Sequence, residues 1–161
     1  MIVTEILGNV LDDEARYEGV HRERAALHPA RLANRIQRLT TDHGRELGIR
    51  LPKESPDLRN GDVLFEEPGN IVVVEIESVD VLVIVPRTIG EALFAAHSLG
   101  NRHLPAQFFD LHSDIGNRYG GDAMVCQYDH TVQSFLDQHG VPYERAQRVM
   151  ETPFRHAEHT H

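Results

Sequence analysis

The sequence predicts an α+β chain, and three observations carry that prediction. Up to Ile76, short apolar runs are separated by turn-forming clusters, the pattern of a small β domain. After Ser78, strand-like runs alternate with segments of helical period. The third observation is size. A chain of 161 residues, 40% of them hydrophobic, is long enough for one domain or two small ones. At that length folding hides roughly 68–70% of the surface the unfolded chain exposes.

Within residues 1–76, Asp42-His43-Gly44 supplies turn chemistry between two arms, Arg31 to Thr41 and Arg45 to Leu51. Leu47, Ile49 and Leu51 alternate with period two. The first arm, whose Leu32, Ile36 and Leu39 also fit helical spacing, is expected as strand. Arg59-Asn60-Gly61-Asp62 then turns the chain into Val63-Leu64-Phe65, and Pro68-Gly69-Asn70 leads into Ile71 to Ile76.

Residues 77–150 are expected to form a second domain. Val79 to Pro86 is a β-branched run whose unbroken hydrophobicity implies burial on both faces, so it should be a central strand. Thr88-Ile89-Gly90-Glu91 has the form of a capping box and should open a helix. Ile89, Leu93, Ala96 and Gly100 recur at three- and four-residue steps and are expected to lie on the sheet, with Gly100 and Asn101 taking the left-handed turn at the helix end. Gln107 to Leu111 and Ala123 to Tyr128 should be strands joined by the region of Gly116, Gly120 and Gly121. Asp129 should cap a second helix with Val132, Phe135 and Leu136 buried and Gly140 at its end, and Val141 to Val149 should close the sheet. The order is β-α-β-β-α-β, a split βαβ of ferredoxin-like type. Residues 151–161 lack a core pattern and are expected as a flexible, histidine-containing tail.

Several function classes are disfavoured by composition. Twenty-five acidic against sixteen basic residues give a net charge of -9, which opposes binding to a phosphate backbone, although residues 16–50 carry eight arginines against four acids. The longest apolar run, Val81 to Val85, falls far short of the ~18–20 residues of a membrane helix. The first fourteen residues carry Glu5, Asp12, Asp13 and Glu14 where a secretory signal needs basic residues before an apolar stretch. A single cysteine, Cys126, excludes an internal disulfide framework and a Cys-x-x-Cys metal or redox pair. The expectation is a cytoplasmic protein with neither a nucleic-acid nor a membrane partner. No nucleophile elbow, phosphate loop, dinucleotide fingerprint or His-Glu-x-x-His is present, so no enzymatic activity is expected.

Eleven histidines shift attention to imidazole chemistry. His21, His28, His43, His112 and His139 stand alone in sequence near turns or termini, where a solvated ring is the ordinary state. His97 and His103 are about 240° apart around a helix, so they share no face. His97 belongs to the helix surface. His103 lies in the irregular junction Gly100-Asn101-Arg102-His103-Leu104-Pro105, and its position alone leaves it open between a structural residue and a ligand. The ending Arg155-His156-Ala157-Glu158-His159-Thr160-His161 places three imidazoles close together, a pattern suited to borderline transition ions. Ordering a flexible tail costs entropy, so it makes no rigid site alone.

These residues carry a resemblance. Leu99-Gly100-Asn101-Arg102-His103-Leu104-Pro105 looks like the signature of the UreE urease accessory proteins, the nickel metallochaperones. Leu58-Arg59-Asn60-Gly61-Asp62-Val63-Leu64, Tyr128-Asp129-His130-Thr131 and Pro153-Phe154 followed by Glu158-His159-Thr160-His161 are similar to further segments of that family, in order along nearly the whole chain. The resemblance implies an N-terminal peptide-binding-like β domain, a ferredoxin-like metal-binding and dimerisation domain, and a homodimer. It further implies delivery of Ni²⁺ to apo-urease with the other accessory proteins, including the GTPase. His103 corresponds to the histidine that meets its symmetry mate on one Ni²⁺, and His159 and His161 to the tail ligands. His130 falls where some members have a second-site histidine, but their further histidine two residues earlier is Tyr128 here. His156 is the remaining tail candidate. Imidazole donors alone do not separate Ni²⁺ from Zn²⁺ or Cu²⁺.

Two rival readings follow from the residues. One is a peptide-binding or scaffolding module with incidental histidines, suggested by the β domain and the arginine-rich segment. The other is a metallohydrolase using His103 with Asp129 or Asp114.

Overall fold

A computed structural model describes residues 1–155 and shows an α+β chain with eleven strands and three α-helices among them. It divides into two compact units, Met1–Ser78 with Val149–Pro153, and Val79–Arg148 with residues 154–155. Among the described residues, no helix is long and apolar enough to cross a membrane.

The first unit holds two sheets. One runs β1 (Ile2–Val3), β5 (Glu46–Arg50), β4 (Ile36–Thr40); the other runs β2 (Gly8–Asn9), β6 (Asp62–Glu67), β7 (Asn70–Ile76), β3 (His21–Leu27). The β4–β5 hairpin pairs Leu39 with Leu47 across the Asp42-His43-Gly44 turn, as the turn chemistry predicts. Its first arm is shorter than expected. Pro29 opens a 3₁₀ turn over Pro29–Arg31, His28 caps it by accepting from Ala30 N, and strand begins only at Ile36. The unforeseen element is β3. Its sequence His-Arg-Glu-Arg-Ala-Ala-Leu lacks β-branched residues, yet it pairs in parallel with β7 along its whole length. Burial alternates along it, with Glu23, Ala25 and Leu27 inside. Leu27, Leu39, Leu47, Ile49, Val72 and Val74 from the two sheets form one core. Ile71 and Val73, on the other face of β7, pack with Val10 and Tyr17.

In the second unit the sheet order is β11 (Tyr143–Val149), β8 (Ser78–Ile84), β10 (Ala123–Gln127), β9 (Ala106–Phe109). β8 is central, and Val81 to Ile84 are fully buried, as their unbroken hydrophobicity requires. Leu82, Ile84, Met124 and Cys126 meet side chains from helices α1 (Ile89–Gly100) and α3 (His130–His139). Asp129 caps α3 and Gly140 ends it at φ 64°, with Val132, Phe135 and Leu136 inside, as the sequence indicates. Between β9 and β10 the chain forms a short helix, α2 (Asp114–Tyr119), where only a glycine-containing connection was expected. Gly116 permits it, because a Cβ there would stand 1.9 Å from Asp110 O.

Helix α1 departs from its sequence reading in three ways. Thr88 caps it, accepting from Glu91 N at 3.1 Å, but Glu91 reaches back to Arg87 N at 2.9 Å rather than to the cap residue, and holds the Arg87 guanidinium as well. The buried stripe is Ala95 and Leu99, whereas the expected stripe of Ile89, Leu93, Ala96 and Gly100 faces outward. Ile89 is 80% and Leu93 66% exposed. α1 is apolar on both faces, so periodicity identified the helix without identifying its inward side. Finally, Gly100 stays in the helix and Asn101 is right-handed; the left-handed residue is His103, at φ 54°.

Candidate metal centre

The junction after α1 is built by tightening of the helix end. Asn101 N donates to His97 O, Arg102 N to Leu99 O and His103 N to Gly100 O, at 2.9–3.1 Å. The last of these brings the chain round so sharply that His103 takes a left-handed backbone, alone in this among the described non-glycine residues. Such a conformation costs an L-residue energy that glycine avoids, and it marks sites where the side chain matters. Arg102 braces the turn from the other side. Its guanidinium lies 5.1 Å from the Phe135 ring centroid and reaches Thr131 O, tying the loop to the first turn of α3. The outcome is an exposed imidazole on a fixed backbone.

The same unit exposes apolar surface. A groove of about 430 Å³ runs between α1 and the edge strand β9, lined by Ala92, Ala96, Phe108 and Met124, and Phe108 is 72% exposed. A second groove, of about 230 Å³, is lined by Gly100, Leu104 and Pro105, the neighbours of His103, together with Arg155. The described chain therefore ends beside the junction.

His130 is the first residue of α3 and is exposed. The residue before it, Asp129, accepts from Thr131 N and Val132 N and from the Thr131 hydroxyl; these bonds hold its carboxyl below the usual range. A carboxylate so engaged is a helix cap, not a free base for hydrolysis. Asp114 begins α2 and is exposed. Tyr128 is committed elsewhere: the Arg145 guanidinium stacks 3.6 Å over its ring while its hydroxyl donates to Gln133 Oε1 at 3.0 Å. Cys126 is fully buried, and burial, with the nearby Asp129 charge, pushes its thiol up to about 12, so it offers no thiolate. Among the described residues no group of three or more histidine, cysteine, aspartate or glutamate side chains converges to hold an ion. His156, His159 and His161 lie outside the described residues.

The scattered histidines are less solitary than their spacing suggests. His28 is a cap, and His139 packs against Phe94 and Phe135 with centroids 5.0 and 4.7 Å away. His97 Nε2 lies 3.3 Å from Asn101 Nδ2 on the helix surface. His21 and His43 stack on each other. Tertiary pairing between β3 and a hairpin tip has no signature in a sequence.

Comparison with known proteins adds an independent line. Residues 3–77 match the family model described as the UreE urease accessory protein, N-terminal domain. Proteins named urease accessory protein UreE from Micrococcus luteus and from Arthrobacter sp. (strain FB24) are 58% and 54% identical, each over the whole of both chains. One of the same name from Staphylococcus saprophyticus is 45% identical over all of this chain and 99% of its own.

Proposed function

This chain belongs to the UreE family of urease accessory proteins, and from that premise we propose that it is a cytoplasmic nickel metallochaperone. It carries Ni²⁺ to apo-urease during active-site assembly, working with the other accessory proteins, the GTPase included, and catalyses no reaction itself. Residues 1–76 serve as the peptide-binding-like domain, residues 77–150 as a ferredoxin-like metal-binding and dimerisation domain, and residues 151–161 as the histidine-containing tail. The strand order β11-β8-β10-β9, with helices crossing between strands, supports the ferredoxin-like reading.

The observation that carries the proposal is His103: an exposed imidazole held in a left-handed backbone just past the end of α1, a helix that leaves Ile89, Leu93 and Ala96 exposed. Exposed apolar surface of this kind marks an interaction site. A two-fold dimer through Leu93, Phe94 and Phe108 covers it and brings two copies of the His103 junction to one seam, since an isologous contact presents the same patch from both sides. One Ni²⁺ is held there by the two His103 rings. Arg155 lines the groove beside the junction, and His159 is four residues further, a reach of at most ~14 Å. His159 and His161 complete the shell, with His156 and His130 as auxiliary donors. Two fixed ligands plus detachable tail ligands suit transfer, because a recipient can replace donors one at a time. The same imidazoles accept Zn²⁺ and Cu²⁺.

Titration calorimetry with Ni²⁺ on a dimer verified by sedimentation tests this. His103→Ala should weaken the tightest site at least tenfold while the dimer persists; unchanged affinity overturns the assignment. Affinity should also fall as pH drops through about 6.5, because only neutral imidazole binds.

A further inference from the structure

His21 opens β3 and His43 occupies the tip of the β4–β5 hairpin, yet their rings stack with centroids 5.0 Å apart and planes inclined by 19°. The backbone beneath them is tied at several points. Asp42 N donates to Arg24 O at 2.9 Å while Asp42 Oδ1 accepts from Arg24 N at 2.9 Å, splicing the hairpin tip to β3. One layer down, the buried carboxylate of Glu23 accepts from the Thr41 hydroxyl and from Arg45 Nε at 3.1 Å. Gly44, at φ 79°, lets the turn close over these contacts. A buried carboxylate is tolerated only where its bonds are made, so this arrangement fixes the hairpin tip in one position over the strand. Two imidazoles on separate elements are thereby presented together from a rigid base.

We propose that His21 and His43 form a second site, a bidentate imidazole pair for a divalent transition ion of the borderline class, independent of His103. An ion bound by both rings sits about 2.0–2.1 Å from each donor nitrogen. Reaching it requires the ring edges to swing together about their side-chain torsions, which gives up the stacking contact and leaves the backbone splice intact. Water completes the shell. Local charge permits a cation: Asp42 Oδ1 lies 3.9 Å from His43 Nε2, and the neighbouring guanidiniums are matched, Arg24 by Glu75 at 3.7 Å and Arg45 by Glu23 and Glu67 at 3.1 and 2.6 Å. Two imidazoles with water bind weakly beside a fuller shell, and Cu²⁺ should occupy such a pair before Ni²⁺ or Zn²⁺.

Native mass measurement of the full chain with Cu²⁺ alone tests the site. His21→Gln and His43→Gln should each lose one ion per chain relative to the parent, and His103→Ala should retain that ion. In parallel, Cu²⁺ titrated into His103→Ala past the capacity of the tail histidines should broaden the side-chain resonances of His21 and His43 together. Equal ion counts in the parent and both glutamine variants, or sharp His21 and His43 signals while other histidines broaden, overturns the proposal. Should a glutamine variant fail to fold, the resonance measurement decides. Failure here leaves the His103 assignment standing, since that is read from a different variant with Ni²⁺.

Discussion

The buried polar side chains of the described structure, Asn9, Glu23, Thr41 and Asp62, all lie in residues 1–78, whereas in residues 79–148 a helix turns Ile89, Leu93 and Phe94 outward. The first unit places polar groups inside and bonds them: Asn9 Nδ2 donates to Asp62 Oδ1 at 2.8 Å, Arg59 N to Asp62 Oδ2 at 2.8 Å, and Thr41 and Arg45 to the Glu23 carboxylate. Such networks specify one arrangement of strands and loops. In the second unit the core is apolar and a single helix carries several side chains of the same kind outward, whereas the exposed Ile2, Leu11 and Ile36 of the first unit lie on separate segments. Polarity inside selects a conformation; apolarity outside selects a partner.

The contrast is broken most directly by shaving both faces of the second unit. Leu136→Ala, at a fully buried position, should cost about 2–5 kcal/mol in urea unfolding. Leu93→Ala, on the outward face of α1, should change unfolding of the isolated protomer by under about 0.5 kcal/mol and shift sedimentation toward the monomer. Comparable losses in both variants would make the outward face part of the folding core and remove the argument for a dimer seam.

Next in size is the buried network of the first unit. Glu23→Gln should cost about 2–3 kcal/mol, because it removes a charged acceptor from Thr41 and Arg45 while keeping the shape. Its pH dependence has a definite sign. Burial pushes the Glu23 carboxyl up, but hydrogen bonds from Thr41 and Asn70 and the charge of Arg45 outweigh burial and hold it below the ordinary carboxylate value. Its contribution is therefore complete above about pH 4.3 and is lost as pH falls through the lower, folded value. Asp62 runs the other way: burial dominates and raises its carboxyl, so its contribution is complete below about pH 3.9 and is lost as pH rises through the folded value. Acid titrations of Glu23→Gln and Asp62→Asn should thus differ from the parent with opposite slopes, and parallel curves would refute the network as described.

What could be read from the sequence follows the same division. Val81 to Ile84, the Asp129 cap and the Asp42-His43-Gly44 turn were legible because each is a local signal with one structural solution. β3 was not, since Arg-Glu-Arg-Ala-Ala has no strand preference and owes its conformation to seven parallel pairings with β7. The inward face of α1 was ambiguous for a different reason. Ala92, Ala95 and Leu99 fit the helical period as well as Ile89, Leu93 and Ala96, and a helix apolar on two faces signals two covers, the sheet and something further. His103 was visible as a candidate through its junction, but its backbone strain was not, because the glycine and asparagine three and two places earlier looked better suited to the left-handed turn.

That displacement leads to the smallest effect and the most discriminating one. If the junction were selected for stability, its left-handed position would carry glycine, which adopts φ 54° without a Cβ penalty, and Gly100 stands only three residues away in a right-handed helix. His103→Gly should therefore raise unfolding stability by about 0.5–1 kcal/mol, the relief of a strained L-residue less the added freedom of glycine in the unfolded chain. His103→Ala retains the strain and should give no such gain. Both variants should lose the Ni²⁺ site equally. A more stable protein that has lost its ion would show that the imidazole is kept at the expense of the fold. A destabilised His103→Gly would instead mean that the ring packs for structure, and the seam ligand would have to be sought among the other histidines.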